Sequence, residues 1–222
     1  MGEHVSFKTP AGVSVGGYLA SADGTDAPGV VVIQEWWGLN AQIKSTARRF
    51  AAAGFTALAP DLYQGRVTED PDEAGHMMNG LDWAGATEQD IRGAVQYLKM
   101  RVSHVGVVGY CMGGALTISA LVKIPEVDAG VCYYGIPPSD QADPSTIRIP
   151  LQAHFANQDD WCTPDAVDEL EVRLKSGGVK HELYRYDAQH GFFNDQRGDV
   201  YDADAAALAW RRTLEFFTTT LA

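Results

Sequence analysis

The sequence feature that most constrains this chain is V-G-V-V-G-Y-C-M-G-G, which occupies residues 105–114. Its small and β-branched apolar residues predict a buried strand, and the run 115–123 that follows predicts a helix. Cys111 then lies at a sharp turn between the two. Gly109 and Gly113 lack the Cβ atoms that would collide with neighbouring elements at such a bend. The pattern therefore predicts a G-x-nucleophile-x-G elbow that carries cysteine in place of serine.

An elbow of this kind has chemical consequences for the cysteine. Its sulfur lies at the first turn of the following helix, where unpaired N–H groups and the helix dipole favour a thiolate. The backbone N–H of Met112, the next residue, becomes a candidate oxyanion donor. Taken alone, the motif leaves two other interpretations open, a glycine-rich phosphate-binding turn and a small cysteine buried in the core.

Size and charge narrow the class of protein. With 222 residues and 45% hydrophobic content, the chain is expected to form one domain over residues 1–222. A net charge of −12 argues against nucleic acid or an anionic membrane as the main partner. The absence of an apolar run of transmembrane length, and of a basic segment followed by an apolar one at the start, predicts a cytoplasmic location.

The cysteines do not follow the spacing of a disulfide framework or a metal site. Cys111, Cys132 and Cys162 are odd in number and widely spaced, which indicates free thiols in a reducing compartment. Neither C-x-x-C nor H-E-x-x-H occurs in the chain, so no metal ligands are predicted.

Strand-like and helix-like segments alternate along the chain. An antiparallel hairpin is predicted for Val5–Thr9 and Val13–Ala20 because Pro10-Ala11-Gly12 between them is a turn signal. Buried strands are predicted at 29–34, 55–60, 105–109, 129–134, 149–155 and 180–186. The alternation predicts an α/β fold, with a largely parallel sheet and helices on both of its faces.

Helix starts are predicted from capping residues, and one segment has no regular pattern. The predicted N-caps are Asn40, Thr87 and Thr163, and a closing helix is expected from Asp202 to about residue 218. Residues 65–85 show no periodicity, which predicts a connection over the surface, either a solvated loop or a flap over a site.

Two further chemistry-bearing residues follow predicted strands. A cysteine nucleophile needs a base, and the base needs an orienting carboxylate. His190 lies in D-A-Q-H-G-F-F, and Asp159 lies in A-N-Q-D-D beside its rival Asp160. Individually, the aspartate could be a turn acceptor and the histidine an ordinary one. The chain order Cys111, Asp159, His190 is that of an α/β-hydrolase triad, and jointly the three residues favour catalysis.

Glu35 and Trp36 directly follow the buried strand 29–34, in Q-E-W-W-G, at the same sheet edge as Cys111. A carboxylate beside tryptophans at a strand end is either exposed by a bend or partly buried with a raised pKa. The N–H of Trp36 lies where the second oxyanion donor of this fold arises. The alternative for Glu35 is a surface acid beside two core tryptophans.

These motifs, together with V-C-Y-Y-G at 131–135 and A-x-H-G-F at 188–192, resemble those of the dienelactone hydrolase (carboxymethylenebutenolidase) family. The resemblance covers nearly the whole chain. It implies an α/β-hydrolase monomer that uses no metal or organic cofactor and cleaves a small-molecule ester or lactone. It also implies a catalytic set with two oxyanion donors: Cys111 as nucleophile, His190 as base, Asp159 as its orienter, and the N–H groups of Trp36 and Met112.

The resemblance also assigns a role to Glu35. In that family the resting thiol is hydrogen-bonded to the equivalent glutamate, and substrate binding moves the carboxylate so that it takes the thiol proton. Activation of Cys111 only when substrate binds would protect the thiol from oxidation.

The substrate contacts depart from the family pattern. Members that act on dienelactone hold the substrate carboxylate with two arginines, but here Arg66 stands one position late and Asn194 occupies the second place. With Tyr134, these are the candidate substrate-binding residues. Because a lost guanidinium weakens recognition of a carboxylate, a different ester, lactone or thioester is expected. A thioesterase or general carboxylesterase on the same triad, and a non-catalytic binding module, remain the alternatives.

Overall fold

The computed structural model describes residues 2–24 and 27–222, and its strands form one sheet. In chain order they are β1 (Gly2–Lys8), β2 (Ser14–Ala20), β3 (Gly29–Ile33), β4 (Thr56–Pro60), β5 (Val105–Tyr110), β6 (Ala129–Tyr133), β7 (Leu151–Gln158) and β8 (His181–Gln189). Their spatial order is β1-β2-β4-β3-β5-β6-β7-β8. The pairs β1–β2 and β2–β4 are antiparallel and the other pairs are parallel. The predicted hairpin and largely parallel sheet are confirmed.

Helices cover both faces of the sheet. In chain order they are α1 (Ala41–Ala52), α2 (Pro71–Asn79), α3 (Trp83–Gly85), a π-helical turn (Ala86–Ile91), α4 (Arg92–Lys99), α5 (Met112–Lys123), a 3-10 turn (Pro144–Thr146), α6 (Pro164–Ser176) and α7 (Ala203–Thr220). Successive residues of β3 point to opposite faces, so Val31 belongs to the core cluster that includes residues of α4, α5 and α6, whereas Val32 belongs to the one that includes residues of α1 and α7. The predicted α/β architecture is confirmed.

Two predicted helix starts have the expected caps. The Asn40 side chain accepts a hydrogen bond from the Ile43 N–H at 3.1 Å, and the Thr163 hydroxyl accepts one from the Ala166 N–H at 3.3 Å. Each bond satisfies an N–H that has no partner inside its helix. Within the described residues, no helix combines the length and apolar character needed to cross a membrane.

The prediction of an irregular connection over 65–85 is wrong in part, because α2 and α3 lie within it. Asp70 caps α2 by accepting from the Glu73 N–H at 2.9 Å, and Pro71 follows as the first helical residue. Only Ala74 and Met77 of this helix are buried. An apolar face of two residues is too short to give a recognisable period, so the capping sequence D-P-x-E is the signal that predicts this helix.

The predicted cap at Thr87 is also wrong. The helix begins earlier, at Asp82, whose side chain accepts from the Gly85 N–H at 3.0 Å. Thr87 lies inside the π-helical turn and its hydroxyl donates to the Trp83 carbonyl at 2.8 Å. A threonine hydroxyl can bond the preceding helical turn as well as cap a new one, and here it does the former.

The last two strands are longer than their apolar runs. β7 continues to Gln158 and β8 to Gln189, and these two residues pair with each other beyond an irregularity in the register. Most residues of the extension are polar and exposed, and the alanines among them, Ala156 and Ala188, are too small to mark a strand by their apolar character. The extension places the loop after β7 beside the loop after β8.

His154 is a buried histidine on β7 whose neutral form is built into the core. Its ring nitrogens lie 2.8 Å from the Tyr186 hydroxyl and 2.9 Å from the Gln152 side-chain oxygen. Burial, with a smaller effect from Arg212, lowers the pKa of His154 to about 3. At pH values between about 3 and about 6.5, His154 binds a proton in the unfolded chain but not in the folded chain.

Acid should therefore destabilise the protein partly through His154. The contribution is absent above pH ~6.5, and stability is lost as the pH falls from there towards 3, by at most about 1.4 kcal/mol per pH unit. Urea unfolding at several pH values should give a shallower loss of unfolding free energy for His154→Gln than for the wild type. His76→Gln, at an exposed histidine, should keep the wild-type slope. Equal slopes for His154→Gln and the wild type would contradict this assignment.

Candidate active site

Cys111 lies at the turn between β5 and α5 with a strained backbone. Its φ of 55° and ψ of −117° are rare for a residue with a side chain. A Cβ at Gly113 would lie 2.5 Å from the Gln34 carbonyl oxygen, and one at Gly109 would overlap the Gly113 carbonyl. The close approach of β3, β5 and α5 therefore requires glycine on both sides of the cysteine, as the sequence pattern predicts.

The structure brings Cys111, His190 and Asp159 together. The Cys111 Sγ lies 3.2 Å from His190 Nε2, and His190 Nδ1 lies 2.8 Å from Asp159 Oδ2. The other carboxylate oxygen, Oδ1, accepts from the N–H groups of Trp161 and Cys162 at 2.7 and 2.8 Å. Asp160 is exposed and makes no hydrogen bond to the histidine. Of the two candidate acids, Asp159 is the one in contact with His190.

The electrostatics of this chain of contacts favour a charged pair. Burial alone would lower the pKa of His190, but hydrogen bonds with Asp159 and Cys111 outweigh it and raise the pKa to about 10. Burial would raise the pKa of Asp159, but the hydrogen bond and charge of His190, together with the two N–H donors, lower it. An imidazolium beside the sulfur is thus favoured at neutral pH.

The two predicted oxyanion donors both border the cavity into which Cys111 opens. Trp36 follows β3, and Met112 is the first residue of α5. Within the described residues, neither backbone N–H donates to another protein group, so both are free to bind an added oxygen. The Tyr63 hydroxyl contacts the Met112 sulfur at 3.1 Å and fixes that side chain against the core.

Glu35 is buried beside the cysteine elbow, with 4% of its surface exposed. Its carboxylate accepts hydrogen bonds from Asn194 Nδ2 at 2.7 Å and from the Tyr134 hydroxyl at 3.2 Å. Burial raises the pKa of Glu35, and these donors and the charge of His190 offset only part of that effect. The alternative of a surface acid is wrong, because the side chain is enclosed.

The contacts of Glu35 correct one expectation about the resting thiol. The resemblance implies a resting hydrogen bond between Glu35 and the thiol, whereas the Cys111 Sγ here contacts His190. Asn194 and Tyr134 both line the cavity and donate to Glu35, and their contact with substrate stays a prediction. A buried carboxylate without such donors would be strongly disfavoured, which explains their placement.

Arg66, the third predicted substrate contact, lies outside this cavity. Its side chain is 64% exposed and pairs with Glu73 at 3.3 Å. The turn at Gln64 and Gly65, both with positive φ, leads the chain towards α2, which carries Glu73. The prediction that Arg66 reaches the site is therefore wrong.

The cavity has a volume of about 420 Å³ and is lined mostly by aromatic and apolar side chains. Trp36 packs edge-on against Trp161 at 5.6 Å between ring centroids. Met78 and Trp83 come from the segment 65–85, for which the sequence predicts no regular structure, and no sequence motif points to Arg197. Wall residues to which no sequence motif points include Trp37, Met78, Trp83, Ile136, Pro138, Trp161, Arg197 and Val200.

In the part of the chain that the structure describes, one group of side chains has the spacing of metal ligands. Donor atoms of Asp159, Cys162 and His190 lie within 4.8 Å of one another. The Asp159 oxygens already accept from His190 and from backbone N–H groups. Burial, followed by the charge of Asp159, raises the pKa of the Cys162 thiol, which disfavours the thiolate that a metal requires. A cation here would have to displace the His190–Asp159 hydrogen bond.

Comparisons with known proteins give a consistent result. A family model described as "Dienelactone hydrolase family" matches residues 15–221. The chain is 36% identical to "Protein usf" of Aquifex pyrophilus, with 98% of each chain covered, and 34% identical to the "Putative carboxymethylenebutenolidase" of Aquifex aeolicus, with 100% of each covered. A solved "dienelactone hydrolase-like promiscuous phosphotriesterase" from metagenomic libraries has a TM-score of 0.86 at 22% identity over 100% of this chain and 99% of that chain, a likeness of fold alone.

Proposed function

The chain belongs to the dienelactone hydrolase family, and we propose that it cleaves a small ester or lactone through a Cys111–His190–Asp159 triad and an acyl-enzyme intermediate. The observation that carries this proposal is the contact of the Cys111 Sγ with His190 Nε2 at 3.2 Å, backed by the Asp159 carboxylate at 2.8 Å. A nucleophile, a base and an orienting group in this order are the parts that acyl transfer requires.

In the first half of the reaction, the Cys111 thiolate, beside the His190 imidazolium, attacks the carbonyl carbon of the substrate. The carbonyl π electrons move to oxygen, which binds the N–H groups of Trp36 and Met112. When the tetrahedral intermediate collapses, the C–O bond breaks and the imidazolium gives its proton to the leaving oxygen. Asp159 keeps the imidazole oriented throughout.

In the second half, water replaces the alcohol. Neutral His190 takes a proton from the water molecule as its oxygen attacks the thioester carbon, and the same two N–H groups bind the new oxyanion. Collapse breaks the C–S bond, releases the carboxylic acid and returns the Cys111 thiolate beside the imidazolium. No oxidant, reductant or cofactor is required by this sequence.

The alternative functions are consistent with the same geometry, and they differ in which substrates the protein cleaves. A thioesterase or general carboxylesterase would cleave thioesters or simple aryl esters better than dienelactone, and a binding module would cleave none of them. A screen of dienelactone, p-nitrophenyl esters and acyl thioesters measures this. Iodoacetamide labelling of Cys111 alone should abolish ester cleavage, and labelling without loss of turnover would reject the proposal.

The compartment and the state of assembly form part of the same proposal. Cys111, Cys132 and Cys162 are free thiols, which supports a reducing location such as the cytoplasm. The single domain and the monomer implied by the sequence stay predictions.

We further propose that Glu35 assists the formation of the thiolate when substrate binds. It is buried on the cavity wall and burial raises its pKa, which makes its carboxylate a stronger base than an exposed one. Glu35→Gln keeps the shape and can still accept from Asn194, but its amide cannot take a proton. Acylation measured in a single turnover should slow by about 10²-fold, the lower range for loss of an acid–base group, whereas substrate Kd should change little.

A conservative variant provides the control. Glu35→Asp keeps a titratable carboxylate and should acylate faster than Glu35→Gln. Equal single-turnover acylation rates in Glu35→Gln and the wild type would refute the proposed assistance.

A further inference from the structure

Arg197 is the one arginine or lysine among the described residues that line the cavity. A free guanidinium at this position would attract a substrate that carries a carboxylate. Here it is already engaged, because its Nε and Nη2 donate to the two carboxylate oxygens of Asp199 at 2.9 and 2.6 Å. Its carbon centre also lies 5.3 Å from the ring of Trp37, so the group is held in place on a second side.

The remaining ionisable groups of the cavity wall repel anions. Glu35 and Asp160 are both carboxyl groups that border the cavity, and His190 is committed to Asp159 and Cys111. With Arg197 neutralised by Asp199, the wall presents no uncompensated positive charge to the distal part of a substrate. A substrate carboxylate would lose its hydration without gaining an ion pair.

The rest of the wall suits an apolar group. Trp83, Ile136, Pro138 and Trp161 contribute rings and aliphatic surface around the thiol. Trp161 is 65% exposed at the rim, where it can cover an incoming acyl chain. Burial of apolar area against such residues favours binding of an uncharged chain or ring.

We propose that this site selects esters and lactones that are uncharged, and that the Arg197–Asp199 pair excludes substrates bearing a second carboxylate. The inference rests on the proposed function, because it names the substrate class of that same site. Asp199 lies two residues from Arg197 in the chain and acts as an internal competitor for the guanidinium. A substrate carboxylate must displace it from a bidentate geometry that an arginine strongly favours.

Two matched esters test the selectivity. p-Nitrophenyl hexanoate and mono-p-nitrophenyl adipate share their leaving group and acyl length and differ in a terminal methyl or carboxylate. Wild-type kcat/KM should favour the hexanoate by at least about tenfold, the scale of one uncompensated like-charge contact.

The variant Asp199→Asn tests the mechanism of that selectivity. Loss of the internal carboxylate frees Arg197, so the ratio of kcat/KM for adipate over hexanoate should rise about tenfold. The double variant Arg197→Gln/Asp199→Asn has no guanidinium to free and should not show this rise. Asp199 is 60% exposed, so its replacement should leave the fold intact.

The outcomes separate this inference from the function on which it rests. Wild-type preference for the adipate, or an unchanged ratio in Asp199→Asn, would overturn the selectivity while the esterase activity stands. Turnover of neither ester by the wild type would reject the proposed function, and the selectivity with it.

Discussion

Cys111→Ala is expected to lower kcat for p-nitrophenyl acetate by at least about 10⁴-fold, because removal of a nucleophile in a triad costs as much as removal of the whole triad. The Sγ is the atom that contacts His190 Nε2, and no other described side-chain nucleophile contacts that nitrogen. Steady-state kinetics over a wide range of enzyme concentration, with circular dichroism to verify folding, measures the loss. Activity within tenfold of the wild type would contradict the assignment of the nucleophile.

Cys132→Ala is the matched control for that experiment. Cys132 is a second buried thiol, which donates to the Gly135 carbonyl at 3.0 Å and does not line the cavity. Its removal should reduce stability by about 1 kcal/mol, as loss of a small buried group does, and should leave kcat within a few-fold of the wild type. A loss comparable to that of Cys111→Ala would mean that the assay reports folding and not chemistry.

Asp159→Asn is expected to have the second largest effect, a loss in kcat of about 10³ to 10⁴-fold. The carboxylate holds His190 Nδ1 at 2.8 Å and is a main reason that the histidine pKa is raised to about 10. An amide cannot stabilise the imidazolium, and it can favour the wrong tautomer of the imidazole. In a serine triad the same substitution lowers kcat by about 10⁴-fold. The readouts are kcat and the alkaline limb of its pH profile, which should move to lower pH in the variant.

The neighbouring aspartate provides an unusually close control. Asp160→Asn changes the same charge one residue away, at an exposed position without a bond to His190. It should retain kcat within about threefold, as most surface substitutions do. If Asp160→Asn were the more damaging of the two, the acid of the triad would be Asp160 and the arrangement around Asp159 would be structural.

Local sequence patterns predict the strands, turns and helix starts that depend on interactions between residues close together in the chain. The apolar run before Gly109 gives β5, and the glycines flanking Cys111 give the elbow because any Cβ there would overlap backbone. The capping residue Asn40 fixed the start of α1. The helix over 71–79 was missed because it buries only two side chains and so has little apolar period.

The sequence predicts the site residues that directly follow a strand, but it does not predict which side chains from other loops contact them. Cys111, Asp159 and His190 each follow a strand, so the sheet edge that they share could be inferred from the sequence. The partners of Glu35 could not, because Asn194 is 159 positions away and the need for a donor appears only once the carboxylate is known to be buried. Arg197 was missed for the same reason, since its placement depends on the fold of the loop after β8.

The resting contact of the thiol is a further difference. The family resemblance implies that Glu35 holds the thiol, while the structure pairs Cys111 with His190 and Glu35 with Asn194 and Tyr134. A state in which Glu35 holds the thiol would replace the contact of Cys111 with His190 by one with Glu35. The Glu35→Gln experiment tests whether such a state contributes to acylation.

The most direct test of the central claim is to trap the intermediate. The protein is mixed with p-nitrophenyl acetate, quenched rapidly with acid and analysed by peptide mass spectrometry. This should find one acetyl group as a thioester on Cys111. The acetylated fraction should be larger in Asp159→Asn if that variant slows deacylation more than acylation. Cleavage of the ester with no acyl group on Cys111 at any quench time, or with the group on another residue, would contradict the account.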